Sequence, residues 1–121
     1  MNLLMKGVEK MRIINLEQGM PTTDRALVLM GQMLRTAKAG GERCIKLIHG
    51  YGSTGSGGAI RAAVCRELRA RQATGSIRLF VQGDRFSPFY EEARRAVDLC
   101  PELAKDRDYA RANQGITIVV L

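Results

Sequence analysis

The sequence predicts one α/β domain in which short strands alternate with longer helices. Its 121 residues are one domain's worth, and 45% hydrophobic with 26% charged residues is ordinary for a globular chain. Short β-branched apolar runs alternate with segments of helical periodicity. The order is β-α-β-α-β, then a helical segment, then a last strand, which predicts a four-stranded mixed sheet within a single domain over residues 1–121.

The first strand and helix are bounded by clear turn and capping signals. "MRIINL", residues 11–16, is a β-branched run stopped by "EQGMP". Residues 22–41 then form a helix that Thr22 or Thr23 can cap and that two glycines end. The apolar positions that recur at helical spacing are Ala26, Leu27, Met30, Leu34 and Ala37. This pattern predicts an amphipathic helix packed on a sheet.

Three further strands and one helix follow. Residues 43–49 form the second strand, residues 59–73 the second helix with an arginine-rich outer face, and residues 76–83 the third strand. Residues 115–121, "GITIVVL", form the fourth. The alternating order predicts parallel pairing with right-handed crossovers for the first three strands.

Residues 84–114 are too long for a plain connection, since most connections have about 4–6 residues. Ser87 before Pro88 is a helix-start signal, and Pro101 marks a break. One or two short helices are expected here.

The charge of the chain favours a polyanionic partner. Lysine and arginine number 19 against 12 acidic residues, which gives a net charge of +7, and 14 of the 19 are arginine. The planar guanidinium suits phosphate, so nucleic acid is the expected partner. The alternative is a set of solvated arginines on helix faces.

The cysteines indicate neither a disulfide framework nor a metal site. Cys44, Cys65 and Cys100 are widely spaced, form no C-x-x-C pair and are accompanied by one histidine, so no metal site is predicted. No secretory segment and no apolar run near ~18 residues is found, so a cytoplasmic protein with reduced thiols and no membrane contact is expected.

The most informative stretch is "IHGYGSTGSGGAIRAAV", residues 48–64, a glycine-rich loop between a strand and a helix. Glycines let backbone approach a ligand, and the following helix points free N–H groups at an anion. Gly50, Gly52 and Gly55 spell G-x-G-x-x-G, but the first acid in the expected place, Asp84, comes too late for a dinucleotide fold. A P-loop is excluded because Ser56 stands where its lysine belongs.

The same stretch resembles the central motif of the Smr (small MutS-related) domain family, in which H-G-x-G ends a strand, a T-G-x-G-like loop follows and an arginine lies in the next helix. The matching residues are His49, Gly50, Gly52, Thr54, Gly55, Gly57 and Arg61. "QGITIVVL" is similar to the family's closing strand. Two departures are present. The family's L-D-x-H-G reads "INLEQG" here: either Asn15 and Glu17 stand at the aspartate and histidine positions with Gln18 inserted, or Glu17 stands for the acid. Residues 84–114 also form a longer insertion than is usual.

The resemblance implies a two-layer sandwich similar to the C-terminal domain of translation initiation factor three. It also implies nucleic-acid binding, often with endonuclease or nicking activity. The residues expected to contact nucleic acid are Gly50, Tyr51, Gly52, Thr54, Gly55, Ser56, Gly57, Arg61, Arg66 and Arg69. Tyr51, inside the loop, is expected either to stack on a base or simply to cover the loop.

Glu17 and His49 are the candidate catalytic residues, because carboxyl ends of parallel strands gather at one edge of a sheet. His49, with an ordinary pKa near ~6.5, can move a proton, and Glu17 can orient a water or hold a divalent cation such as magnesium if the chain is an endonuclease. The alternatives are that His49 only hydrogen-bonds backbone groups and that Glu17 is solvated.

Two other functions fit the sequence. One is a protein-interaction adaptor with a vestigial loop, whose working surface is residues 84–114. The other is a small nucleotide-binding module. The choice between DNA and RNA, the survival of cleavage and the oligomeric state stay open at this point.

Overall fold

The computed structural model describes residues 11–19, 21–50 and 57–121. Its regular elements, in chain order, are β1 (Arg12–Asn15), α1 (Thr23–Ala39), β2 (Cys44–Ile48), α2 (Gly57–Ala73), β3 (Leu79–Gln82), α3 (Glu91–Leu99) and β4 (Ile116–Val120). Two 3₁₀ turns, Gly83–Arg85 and Pro101–Lys105, flank α3. The predicted order of strands and helices is confirmed. None of the helices in these ranges is long and apolar enough to cross a membrane.

The four strands form one mixed sheet in the order β1-β2-β4-β3. β1 pairs with β2 in parallel, with Asn15 opposite Ile48, as predicted. The prediction that β3 joins this parallel pairing is wrong, because β4 lies between β2 and β3 and is antiparallel to both. The physical reason is burial: all five residues of β4 are buried, and a strand that is buried on both faces belongs in the middle of a sheet.

One face of the sheet carries α1 and α2, which gives the predicted two-layer α/β arrangement. The first core cluster lies between these helices and the sheet and includes Met30, Leu34, Ile45, Leu47, Ile60, Val64, Leu68 and Val119. Thr22 caps α1, since its hydroxyl accepts a hydrogen bond from the Arg25 N–H at 3.2 Å. The capping signal in the sequence is therefore confirmed.

The other face of the sheet is covered by residues 83–113, here called the cover segment. It packs a second core cluster against the sheet, with Phe86, Ala93, Ala96, Cys100 and Leu103 as its buried members. α3 begins at Glu91 rather than near Ser87, because the Ser87 hydroxyl accepts the Phe89 N–H in a preceding turn. The break predicted at Pro101 is confirmed.

A buried lysine fastens the cover segment to β2. Lys46 points away from α1 and α2, and its ammonium lies 2.7 Å from an Asp106 oxygen and 2.6 Å from an Asp108 oxygen. Asn113 donates to the other Asp108 oxygen at 3.0 Å. A lysine buried in a strand is tolerated only when its charge is compensated in this way.

Candidate nucleic-acid interface

The carboxyl ends of β1 and β2 lie side by side, and Glu17 follows directly from the first of them. Leu16 donates its N–H to the Ile48 carbonyl at 2.7 Å, which extends the parallel pairing one residue beyond β1. The Asn15 side chain then accepts the Glu17 N–H at 3.0 Å, an Asx turn that redirects the chain. Glu17 is thereby held next to the end of β2, with its side chain exposed.

His49, directly after β2, is completely buried and both of its ring nitrogens have partners. Nδ1 lies 2.7 Å from the Gly50 carbonyl oxygen and Nε2 lies 2.8 Å from the Thr117 hydroxyl. A carbonyl only accepts, so Nδ1 carries the hydrogen; in the neutral ring Nε2 then accepts from Thr117. The imidazole therefore joins the start of the glycine-rich loop to β4.

The surroundings of His49 hold the ring neutral. Burial lowers the pKa of His49 below its ordinary value, because the imidazolium is poorly solvated inside the protein. The hydrogen bond to the Gly50 carbonyl raises the pKa of His49, the positive charge of Arg61 lowers it further, and the negative charge of Glu17 raises it. Glu17 and Arg61 thus both lie close enough to the ring to act on it electrostatically.

Gly50 is required at its position for two separate reasons. Its φ is +75°, in the left-handed region that side chains disfavour, and a Cβ at this position would overlap the Glu17 carboxylate. The turn is fixed from behind by the Gly115 carbonyl, which accepts the His49 N–H at 2.9 Å and the Gly50 N–H at 3.1 Å. The start of the loop is therefore held in place, with the Glu17 carboxylate directly beside it.

Arg61 approaches the same place from the first turns of α2. Its guanidinium lies 3.6 Å from an Asp84 oxygen, a pair that is partly exposed and weak. That Asp84 oxygen is buried and has no hydrogen-bond partner among the described residues. Arg61 is thus held near the mouth of the loop, and Asp84 is a member of the site that the sequence did not indicate.

A profile of the Smr domain matches residues 18–84, more than half of the chain. The chain belongs to the Smr domain family. Members of this family generally bind nucleic acid, and some have nicking activity. The matched range contains His49, Gly50 and Arg61 and ends where the cover segment begins.

The fold of this Smr domain is also similar to a solved structure. The crystal structure of the Smr domain of Thermus thermophilus MutS2 superposes with a TM-score of 0.57 at 22% sequence identity, covering 91% of this chain and 96% of that chain. At this identity the similarity concerns the fold. No curated protein sequence matches the chain.

The Smr domain brings together some of the residues predicted for the site and separates others. Glu17, His49, Gly50 and Arg61 lie around one mouth, and Gly57 begins α2. Arg66 is exposed and lies about 140° around α2 from Arg61, since each residue of a helix turns by about 100°. Arg69 faces the edge of β3. Tyr51, Gly52, Thr54, Gly55 and Ser56 lie outside the described residues.

A cavity of about 320 Å³ adjoins this mouth on the side of the cover segment. Glu17, Gly50 and Lys46 line it together with Arg107 and Asn113 of the cover segment. The sequence gave no signal for Arg107 or Asn113, because their position depends on how the cover segment folds back over β2. Arg107 adds a second cation beside the loop.

A separate cluster lies at the opposite end of β2. The ligand atoms of Cys44, Cys100 and Glu102 all lie within 4.8 Å of one another, although spacing alone gave no reason to expect a metal site. Burial raises the pKa of both thiols, and Arg43 contacts Glu102 at 3.1 Å. Since Cys44 begins β2 and His49 follows its end, this cluster is not part of the mouth.

Proposed function

We propose that this Smr domain binds DNA or RNA through the phosphodiester backbone at the mouth formed by Glu17, Gly50 and Arg61. The observation that carries the proposal is the convergence of Arg61, the fixed turn at Gly50 and the N-terminus of α2 on one edge of the sheet. α2 has no acidic residue in its first turn, whereas α1 has Asp24. The N–H groups of its first turn and its positive dipole end would therefore attract an anion.

His49 acts in this proposal as a positioning residue. Its ring is buried and holds the Gly50 carbonyl, so it sets the direction in which the loop leaves β2. A phosphate bound at the loop N–H groups would be neutralised by Arg61 and, for a longer strand, by Arg66 and Arg69. Tyr51, Gly52, Thr54, Gly55, Ser56 and Gly57 supply the loop in the same proposal.

Glu17 favours cleavage as a second function of the same mouth. A carboxylate beside a phosphate site weakens binding, so a pure binder gains nothing from it, whereas hydrolysis needs a group that accepts a proton from water. Water would attack phosphorus and lose a proton to Glu17, the phosphorus–oxygen bond to the leaving oxygen would break, and Arg61 would stabilise the charge on the phosphate. In this reaction His49 keeps Gly50 in place, and because its buried ring has both nitrogens hydrogen-bonded, solvent water gives the leaving oxygen its proton.

A magnesium ion would suit this chemistry only in part. Magnesium is commonly held by one or two carboxylates together with substrate phosphate, and Glu17 is the carboxylate that contacts Gly50. Among the described residues the one group of three potential ligands is Cys44, Cys100 and Glu102, at the other end of β2. The mechanism above therefore assigns no step to a metal.

The binding proposal is tested by titrating labelled single- and double-stranded DNA and RNA at several salt concentrations. Affinity should fall as salt rises, because phosphate contacts release counterions. Arg61→Gln should weaken binding and flatten the salt dependence, while Arg35→Gln on the exposed side of α1 should not. Absence of binding at low salt would refute the proposal.

The cleavage proposal is tested with Glu17→Gln. Removing the negative charge should tighten binding and abolish nicking of plasmid or structured RNA. Equal nicking by the wild type and the variant would show that the activity does not come from this mouth.

One observation favours a protein-interaction function beside nucleic-acid binding. Phe89, at the tip of the cover segment, is 87% exposed. The family match ends at Asp84, which supports the proposal that residues 84–114 are an insertion with a task of their own within one domain. Phe89→Ser should abolish capture of a protein partner and leave nucleic-acid binding unchanged; loss of nucleic-acid binding would contradict a separate role.

A further inference from the structure

We propose that a groove along the free edge of β3 binds a single-stranded segment of DNA or RNA, and that it continues the path that begins at Arg61. This inference rests on the proposed nucleic-acid binding. The groove, called the β3 groove below, is lined by Arg69 and Gln72 of α2, Phe80 of β3, and Arg85 and Arg95 of the cover segment.

The β3 groove exists because β3 is an edge strand. β3 pairs with β4 on one side, and no strand of residues 11–19, 21–50 or 57–121 pairs with its other side. α2 rises on one face of this edge and α3 on the other, which leaves a channel between them. Two adjoining cavities of about 230 and 510 Å³ share Gln72 and Arg95, so the channel continues past Gln82 and Phe80 to Arg78.

The walls of the channel are positively charged. Within the described residues, Arg69, Arg78 and Arg95 take part in no ion pair. Arg85 is paired with Glu92 and stacks over the Tyr90 ring, with its central carbon 4.2 Å from the ring centroid. The acidic residues that line the two cavities are Glu92 and Asp98. Four arginines against two carboxylates leave a net positive groove, which is complementary to phosphate.

Phe80 indicates that the bound strand is single. Its side chain points to the α2 side of the sheet and is half-buried, with the inner part of the ring packed on the first core cluster. An aromatic surface that is fixed by the core and flanked by guanidinium groups is the combination on which unpaired bases stack between phosphate contacts. In a duplex the bases are already stacked on one another and are not free to stack on Phe80.

The β3 groove lies further along α2 from the mouth at Gly50. Arg61 and Arg69 lie eight residues apart on α2, a rise of about 12 Å, which spans roughly three or four stacked nucleotides at 3.4 Å each. Between them the Gln82 amide donates to the Cys65 sulfur at 2.8 Å and joins β3 to α2. A strand held at Arg61 therefore enters the groove after a few nucleotides.

The test compares single-stranded oligonucleotides of 3 and 12 nucleotides, thymidine and uridine homopolymers, by fluorescence anisotropy. Arg95→Gln should lower the slope of log affinity against log salt for the 12-mer by about 0.7, the contribution of one phosphate contact. Phe80→Leu keeps the core contact and removes the stacking surface, so it should weaken 12-mer binding by at least about 5-fold. Both variants should bind the 3-mer like the wild type.

Arg35→Gln, on α1 and away from the groove, is the matched control, and the melting temperatures of all variants are compared with the wild type. If the wild type binds the 12-mer and both groove variants bind it as tightly as the control does, the groove is not a binding site, and the proposed function still stands. No oligonucleotide binding by the wild type would overturn both. An octaglutamate peptide that binds the wild type but not Arg95→Gln, with oligonucleotide binding unchanged, would assign the groove to an acidic polypeptide and overturn the proposal.

Discussion

The burial of His49 predicts that the fold is destabilised by mild acid. His49 is the single histidine of the chain. Its ring is completely enclosed, and burial lowers its pKa in the folded protein. In the unfolded chain the same ring is solvated and titrates near its ordinary value of about 6.5. Below that pH the unfolded chain binds a proton that the folded protein does not.

The size of this effect follows from proton linkage. Above about pH 6.5 both states are neutral at His49 and the free energy of unfolding is unaffected by it. As pH falls below this value the free energy of unfolding should decrease, with a slope that approaches about 1.4 kcal/mol per pH unit for one proton. The loss at pH 5 is at most about 2 kcal/mol, reached if the folded protein binds no proton there.

Urea unfolding of the wild type and His49→Asn between pH 5 and 8 measures this directly. The asparagine can still donate to the Gly50 carbonyl but does not titrate, so its stability should be flat over the range in which the wild type loses stability. A parallel loss in both proteins, or a wild-type histidine that titrates near pH 6.5 in the folded state by NMR, would refute the buried neutral imidazole.

Three further predictions concern charge and packing. Lys46→Met should lower the free energy of unfolding by about 3 kcal/mol, because two partly buried aspartates lose their counter-charge. Arg43→Met breaks an exposed ion pair and should lower it by less than about 1 kcal/mol. Urea unfolding of both variants measures the difference. Gly83→Ala should cost about 3 kcal/mol in the same assay, since its Cβ would overlap backbone carbonyls of the cover segment and β4. Gly40→Ala, whose Cβ has ordinary contacts, should change stability little. Glu17→Gln should tighten oligonucleotide binding measured by anisotropy, and weaker binding would contradict the placement of its carboxylate beside the phosphate site.

Local signals in the sequence were sufficient for the elements but not for the sheet. Apolar periodicity and the Thr22 cap located α1 to within two residues at each end. The position of β4 between β2 and β3 could not be deduced from the alternating order, since that order favours parallel neighbours. The β-branched run at residues 116–120, in which Thr117 is the one polar residue, was the available signal, because a strand buried on both faces is a central strand.

The sequence predicted the part of the candidate site that is formed by two neighbouring strand ends and by one continuous loop. The pairing of β1 with β2 put Glu17 next to His49, and the glycine-rich loop led to Arg61. Asp84 and Lys46 were missed because their partners lie 23 residues or more away in sequence, and only the folding of the cover segment decides which charges face each other. The complete burial of His49 was missed for the same reason: the side chain that closes over it, Thr117, comes 68 residues later.

Residues outside the glycine-rich loop hold the start of that loop in place. The Gly115 carbonyl takes both N–H groups of the His49–Gly50 turn, and Thr117 takes the free nitrogen of the His49 ring. These contacts require β4 to lie beside β2 in the sheet. Asn113, which ties the cover segment to Lys46 through Asp108, also accepts the Gly115 N–H at 2.9 Å. The orientation of Gly50 is thereby coupled to the buried Lys46 network, so a loop copied onto another strand–helix junction without β4 would lose the contacts that fix the conformation of Gly50.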